Sequence, residues 1–206
     1  MNSRVLKRFI VYMAILTFVM FTVWALIRSF MNRPPGDYET EVCDIRLKDK
    51  LYDKAIQAAN TALEKTPNHR GAIMCKALVF ISQKMYLKAD EELNYLINFL
   101  ENNLNVDDPT GIGTLAAAYA NRGIIKDRQE NYEGALEDYI KAIKIDEEAV
   151  GGPGFGTVIL NYKFKSSSVK ERAIYISEQL QLPESERVLK IKELDEGQVM
   201  HKPGKL

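Results

Sequence analysis

Tyr119-Ala120-Asn121-Arg122-Gly123, followed by Tyr132-Glu133-Gly134-Ala135-Leu136-Glu137-Asp138-Tyr139-Ile140-Lys141-Ala142, is the stretch that decides the fold. Its pattern recurs twice upstream. A small residue stands nine places before a tyrosine three times: Cys43 and Tyr52, Ala77 and Tyr86, Gly123 and Tyr132. An alanine follows each tyrosine by three places (Ala55, Ala89, Ala135). Four and seven places further on come Ala59 and Ala62, Leu93 and Leu96, Tyr139 and Ala142. Offsets of three, four and seven share one face of a helix. Small residues on that face let antiparallel helices approach closely. One hairpin cannot bury the apolar positions alone, so neighbouring hairpins must stack. Ala55 and Ala89 are 34 residues apart, and Ala89 and Ala135 are 46 apart, which is one period plus a 12-residue insertion.

This pattern resembles the tetratricopeptide repeat family over 36–69, 70–103 and 116–149, about half of the chain. Pro67 closes the first repeat as in that family, whereas Arg46 and Lys126 stand where the family carries an aromatic. The resemblance implies an all-α chain, a TPR-like α-solenoid of three repeats. The insertion Asn103–Leu115 contains Asp107-Asp108-Pro109-Thr110-Gly111 and reads as a turn or loop extending the second hairpin. Residues 150–183 read as a degenerate capping hairpin. A glycine-rich connector, Gly151 to Gly156, opens it, and Ser168 with Glu171 forms a capping box for a helix from Val169 to about Leu182. A strand over 157–164 is the alternative for its first half. The charged tail 184–206 is expected to be extended or mobile beyond a helical turn or two at Glu184–Leu189.

Ahead of the repeats, Phe9 to Ile27 gives 19 residues without a charge, bounded by Arg8 and Arg28. At about 1.5 Å per residue the run spans roughly 28 Å, close to the hydrocarbon thickness of a bilayer. It is apolar on every face, unlike a core helix, and no small-x-small cleavage site follows it. The layout is therefore a basic lead (1–8), a transmembrane helix (9–28), a linker (29–35) with Pro34-Pro35, then the repeats. The 28 basic and 28 acidic residues cancel only in sum. Residues 1–35 hold five basic and no acidic side chains, and residues 36–149 hold 14 basic against 21 acidic. That distribution excludes a strongly basic nucleic-acid binder, and 46% apolar residues exclude a wholly disordered chain. The three basic residues of the lead favour a cytoplasmic N-terminus. The expected location is a bacterial inner membrane with the C-terminal domain in the periplasm. A mitochondrial outer-membrane anchor facing the cytosol is the alternative.

No catalytic constellation emerges. The Gly151–Gly156 cluster lacks a preceding strand and a P-loop lysine. His69, His201, Cys43 and Cys75 show no ligand-pair spacing for zinc. Asp107-Asp108 and Glu91-Glu92 read as solvated carboxylates. No enzyme activity, cofactor or metal is expected. Cys43 occupies a small-residue packing place, and with the domain outside the cytoplasm a Cys43–Cys75 disulfide is the other reading.

In the family resembled, the first helix of each repeat lines the concave side. That carries over to Asp37, Thr40, Glu41, Asp44 and Lys48, then Met74, Cys75, Leu78, Ile81 and Ser82, then Ala120, Asn121, Ile124, Asp127 and Arg128. The candidate partner-binding set is Asp37, Glu41, Asp44, Met74, Leu78, Ile81, Asn121, Ile124 and Arg128. An acidic end, an apolar middle and a mixed polar end suit a basic-amphipathic helix or an extended peptide. Asn121 is placed to bond a peptide backbone, and Leu78→Glu is expected to abolish capture without unfolding. The expected function is a membrane-anchored scaffold that binds a protein or peptide partner in assembling an envelope complex. The alternatives are a self-associating structural protein, homo-oligomeric in the membrane, or an accessory subunit acting through its loop and tail.

Overall fold

The computed structural model describes residues 3–31, 33–150, 168–191, 198 and 200–202. Among them the secondary structure is helical, without strands. The elements are α1 (Ser3–Met31), α2 (Asp37–Lys48), α3 (Tyr52–Lys65), α4 (Arg70–Ser82), α5 (Tyr86–Asn103), α6 (Pro109–Arg128), α7 (Tyr132–Ile145), the single turn α8 (Glu147–Val150), α9 (Val169–Leu180) and a 3-10 turn at Glu184–Glu186. Helices α2–α3, α4–α5 and α6–α7 form three antiparallel hairpins. α3 packs on α4 and α5 on α6, while α2, α4 and α6 touch one another in a row. The array is an all-α solenoid of the tetratricopeptide type, and α9 packs against α7 at its far end. The first half of the expected capping hairpin, with its alternative strand at 157–164, lies outside the described residues.

The repeated small and apolar positions hold the hairpins shut. Cys43, Ala55, Ala59 and Ala62, then Ala77, Ala89, Leu93 and Leu96, then Ala135, Tyr139 and Ala142, have no exposed surface. At Gly123 a Cβ would sit 2.6 Å from the Tyr139 ring, so only glycine fits. Lys126 stands in place of an aromatic because its ammonium reaches the buried Asp138 carboxylate at 2.8 Å, beside Arg122 at 2.7 Å.

All three hairpins turn in the same way. Lys50, Lys84 and Glu130 sit in the left-handed region, with φ of 59°, 60° and 64°. Each donates its N–H to a carbonyl three residues back (Leu47, Ile81, Asp127), and the next residue donates five back to Arg46, Phe80 or Lys126. This is the Schellman termination, usually built with glycine. An L-residue there costs about 1–2 kcal/mol, part of which glycine returns through its greater unfolded freedom. Lys50→Gly, Lys84→Gly and Glu130→Gly should each stabilise the array by about 0.5–1 kcal/mol. Urea titration of the triple variant checks this, and an unmoved or lower midpoint would contradict it.

The insertion is read from sequence as a turn or loop, and in the structure the turn is short. Only 104–108 is non-helical: α5 runs on to Asn103 and α6 begins at Pro109. Asp108 caps α6 by accepting the Gly111 N–H at 2.8 Å, and Pro109 fills the first helical position, where no N–H is needed. The inserted residues are absorbed by lengthening both helices.

Candidate functional site

The concave face is formed by α2, α4 and α6, and its two halves differ. The half at their N-terminal ends is an open cavity of about 800 Å³. Asp37, Thr40, Glu41 and Asp44 line it from α2, Arg70 and Gly71 from α4, and Thr110 and Thr114 from α6. The acids on this rim are already paired. Glu41 accepts from Arg33 at 2.9 Å, Asp108 pairs with Arg70, and Asp44 pairs with Lys202. His69 caps α4 by accepting the Ala72 N–H on Nδ1 at 3.2 Å. That bond fixes its proton on Nε2, which donates to Asp37 at 2.9 Å and ties α4 to α2. Arg70 holds the Asp108 carboxyl below its ordinary range, helped by the Gly111 N–H.

The other half is covered by the chain's own C-terminal segment. Asn121, fully buried, grips the His201 peptide in both directions. Its Oδ1 accepts the His201 N–H at 2.8 Å, and its Nδ2 donates to the His201 carbonyl at 2.7 Å. Met200 packs on the core and lies against Ser82 Oγ. Gln198 Nε2 donates to the Tyr139 hydroxyl at 2.8 Å, which donates in turn to Asp127 at 3.1 Å. Burial, with the Asp127 carboxylate alongside, keeps the Tyr139 phenol well above its ordinary range. Of the expected extended or mobile tail, these residues are non-helical and docked, because the concave face supplies hydrogen-bond partners to the polar groups they bury.

Beneath the segment, Arg172 of α9 makes a two-bond pair with Asp127 of α6: Nε to Oδ2 at 2.8 Å and Nη2 to Oδ1 at 2.7 Å. Both residues are buried, with 2% and 4% of their surface exposed. Arg172 also donates to the Leu189 carbonyl at 2.9 Å. The structure thus divides the candidate set. Asp37, Glu41 and Asp44 line the open cavity, and Arg128 is half-buried. Met74, Leu78, Ile81, Asn121 and Ile124 are closed off from solvent. Leu78 is 4% exposed within the main apolar cluster, so Leu78→Glu would insert a carboxylate into the core and unfold the array rather than test capture. Gln198, Met200, Lys202 and Arg172 carry no periodic signal that would have drawn them to this face. Among the described residues no group of three or more His, Cys, Asp or Glu side chains could hold a metal ion.

Burial alone pushes His201 down to about 4 from its ordinary 6.5. The carboxylates that touch the docked segment, Asp127 and Asp44, are engaged by Arg172 and Lys202. The docked form therefore favours neutral His201. Its contribution is complete above pH 6.5 and is lost as the pH falls from there toward 4. Protection factors of the C-terminal segment, corrected for intrinsic exchange at each pH, should fall over that window, and His201→Gln should flatten the dependence.

The fold and its face define a helical-repeat array, a class that suggests a protein-interaction scaffold. In residues 116–148 the chain matches the family model for the tetratricopeptide repeat. It is also similar to DnaJ homolog subfamily C member 7 of Mus musculus and of Homo sapiens, at 32% identity over 103 residues in each case. The match covers 48% of this chain and 21% of each relative, so the chain spans about a fifth of the length of the curated relatives it matches.

Proposed function

We propose that the chain is a non-enzymatic, single-pass membrane scaffold that holds a protein or peptide partner on its concave face, in the assembly of an envelope complex. One observation carries the reading. Asn121 offers a side-chain amide that binds a peptide unit through both its N–H and its C=O, which suits an extended backbone of any sequence. The adjoining cavity gives such a peptide room to continue toward α2.

The anchor rests on α1. Arg4–Arg28 is long and apolar enough to cross a membrane, and none of it is buried against the repeats. Its two threonines are satisfied within the helix: Thr17 donates to the Met13 carbonyl and Thr22 to the Val19 carbonyl, both at 2.8 Å. Neither threonine hydroxyl would then face lipid unpaired. A disulfide joins Cys43 and Cys75. Disulfides persist in oxidising compartments, which supports a bacterial inner membrane with the repeats in the periplasm. An anchored groove meets membrane-bound partners at raised local concentration.

The test is crosslinking in native membranes followed by affinity capture, comparing the wild-type chain with Glu41→Lys/Asp44→Lys. One protein recovered with the first and lost with the second supports the scaffold. Recovery of the chain alone, or identical profiles, overturns it. Alkaline carbonate extraction should leave the chain in the membrane pellet.

A further inference from the structure

We propose that Gln198, Met200, His201 and Lys202 are a built-in ligand of the concave face, occupying the place that a partner peptide of the same chemistry takes: an extended stretch with an unbranched apolar side chain and, two residues on, a cation. The proposal deepens the scaffold reading and rests on it.

The contacts cross the helices of the array in order. Gln198 reaches Tyr139 and Asp127 on α7 and α6, Met200 reaches Ser82 at the end of α4, and Lys202 reaches Asp44 on α2. Gln198, Met200 and Lys202 thus meet the array in turn, and the His201 side chain is buried as well. Between them, the backbone of residue 201 is held by Asn121. The segment runs from the third repeat to the first and ends at the edge of the open cavity, which Lys202 helps to line. The chemistry is complementary at each step: a polar network, then an apolar floor, then a carboxylate.

Two features argue for a replaceable occupant rather than a core element. The grip on the backbone reads no side chain, so another peptide can satisfy Asn121 equally well. The ion pair that ends the segment is partly solvated, with Lys202 and Asp44 side chains 33% and 23% exposed, and such pairs hold weakly. What favours the chain's own segment is its tether, which supplies an effective concentration on the order of millimolar. A free peptide making the same contacts competes against that concentration until the segment is displaced.

The test uses the full chain in detergent micelles and a fluorescent synthetic peptide copying residues 196–206. Met200→Asp/Lys202→Glu releases the chain's own segment without altering the array. The peptide should bind this variant at least tenfold more tightly than wild type by fluorescence anisotropy. Adding Asp44→Lys should abolish the gain, and a peptide with glutamate at the place of Lys202 should restore it. That charge exchange separates recognition from misfolding. Hydrogen exchange should show the C-terminal segment protected in wild type and open in the released variant. Equal peptide affinity for both chains, or a wild-type segment that exchanges as fast as the free peptide, overturns the proposal. Capture from membranes separates this failure from that of the scaffold: equal partner recovery by both chains keeps the scaffold and removes the segment's role, and no recovery by either removes both.

Discussion

Asp127→Ala should destabilise the repeat array by about 3–5 kcal/mol, because it leaves the Arg172 guanidinium buried without its carboxylate. The loss is larger than that of an ordinary surface pair for a geometric reason. Both side chains are almost wholly buried, their two bonds are parallel and short, and the pair joins helices 45 residues apart in sequence. Arg172→Met should cost less, since Tyr139 and Gln198 still donate to the orphaned Asp127. The double variant Asp127→Leu/Arg172→Met removes both charges together and should fall within about 1–2 kcal/mol of wild type. The coupling energy from the four urea titrations would then exceed about 2 kcal/mol. A cost below about 1 kcal/mol for Asp127→Ala would mean that α9 is not held to α6 in this way. The same variant should loosen Gln198, which shares the Asp127 carboxylate, so the C-terminal segment should lose exchange protection together with α9.

The repeats were legible because their signal is local. A helix hairpin needs small residues where its two axes approach, and Ala55, Ala59 and Ala62 mark that face without reference to the rest of the chain. The left-handed turns at Lys50, Lys84 and Glu130 were hidden, since neither lysine nor glutamate announces a positive φ. Asp108-Pro109 misled in a specific way. The pair carries turn chemistry, yet cap and first helical position have the same composition, and only the following helix tells them apart. The concave residues failed for another reason. The resemblance implies that Met74, Leu78 and Ile81 lie on the inner face of α4, but α2 and α6 flank that helix, and part of its face is closed from the other end of the chain. Asn121 meets His201 across 80 residues, and no periodicity within either segment encodes the encounter.

Removing the Cys43–Cys75 disulfide should lower the stability of the array by about 3–4 kcal/mol, as expected from chain entropy for a bridge that closes 32 residues. The bridge ties α2 to α4, the first repeat to the second, where the packed cluster is small: Cys43, Ala55, Ala59, Cys75 and Val79. A first repeat with so little apolar surface of its own leans on the covalent link more than the alanine- and isoleucine-rich α6 would. Cys43→Ala/Cys75→Ala is the cleaner variant, because alanine already stands at the place equivalent to Cys43 in the second repeat, as Ala77, and leaves no overpacked atoms. With about 2–4 °C lost per kcal/mol, the melting midpoint should drop by roughly 10 °C. Both sulfurs belong to fully buried residues, so reductant added to the folded chain should act only as the array opens. Unfolding and refolding in dithiothreitol should reproduce the double variant, and dithiothreitol should leave the double variant itself unchanged. An equal midpoint for wild type and variant would show that the first repeat is held by packing alone. It would also withdraw the support that the bridge lends to an oxidising compartment. In cells, both thiols should resist alkylation after denaturation unless a reductant is supplied first, and ready alkylation would place the repeats on the reducing side of the membrane.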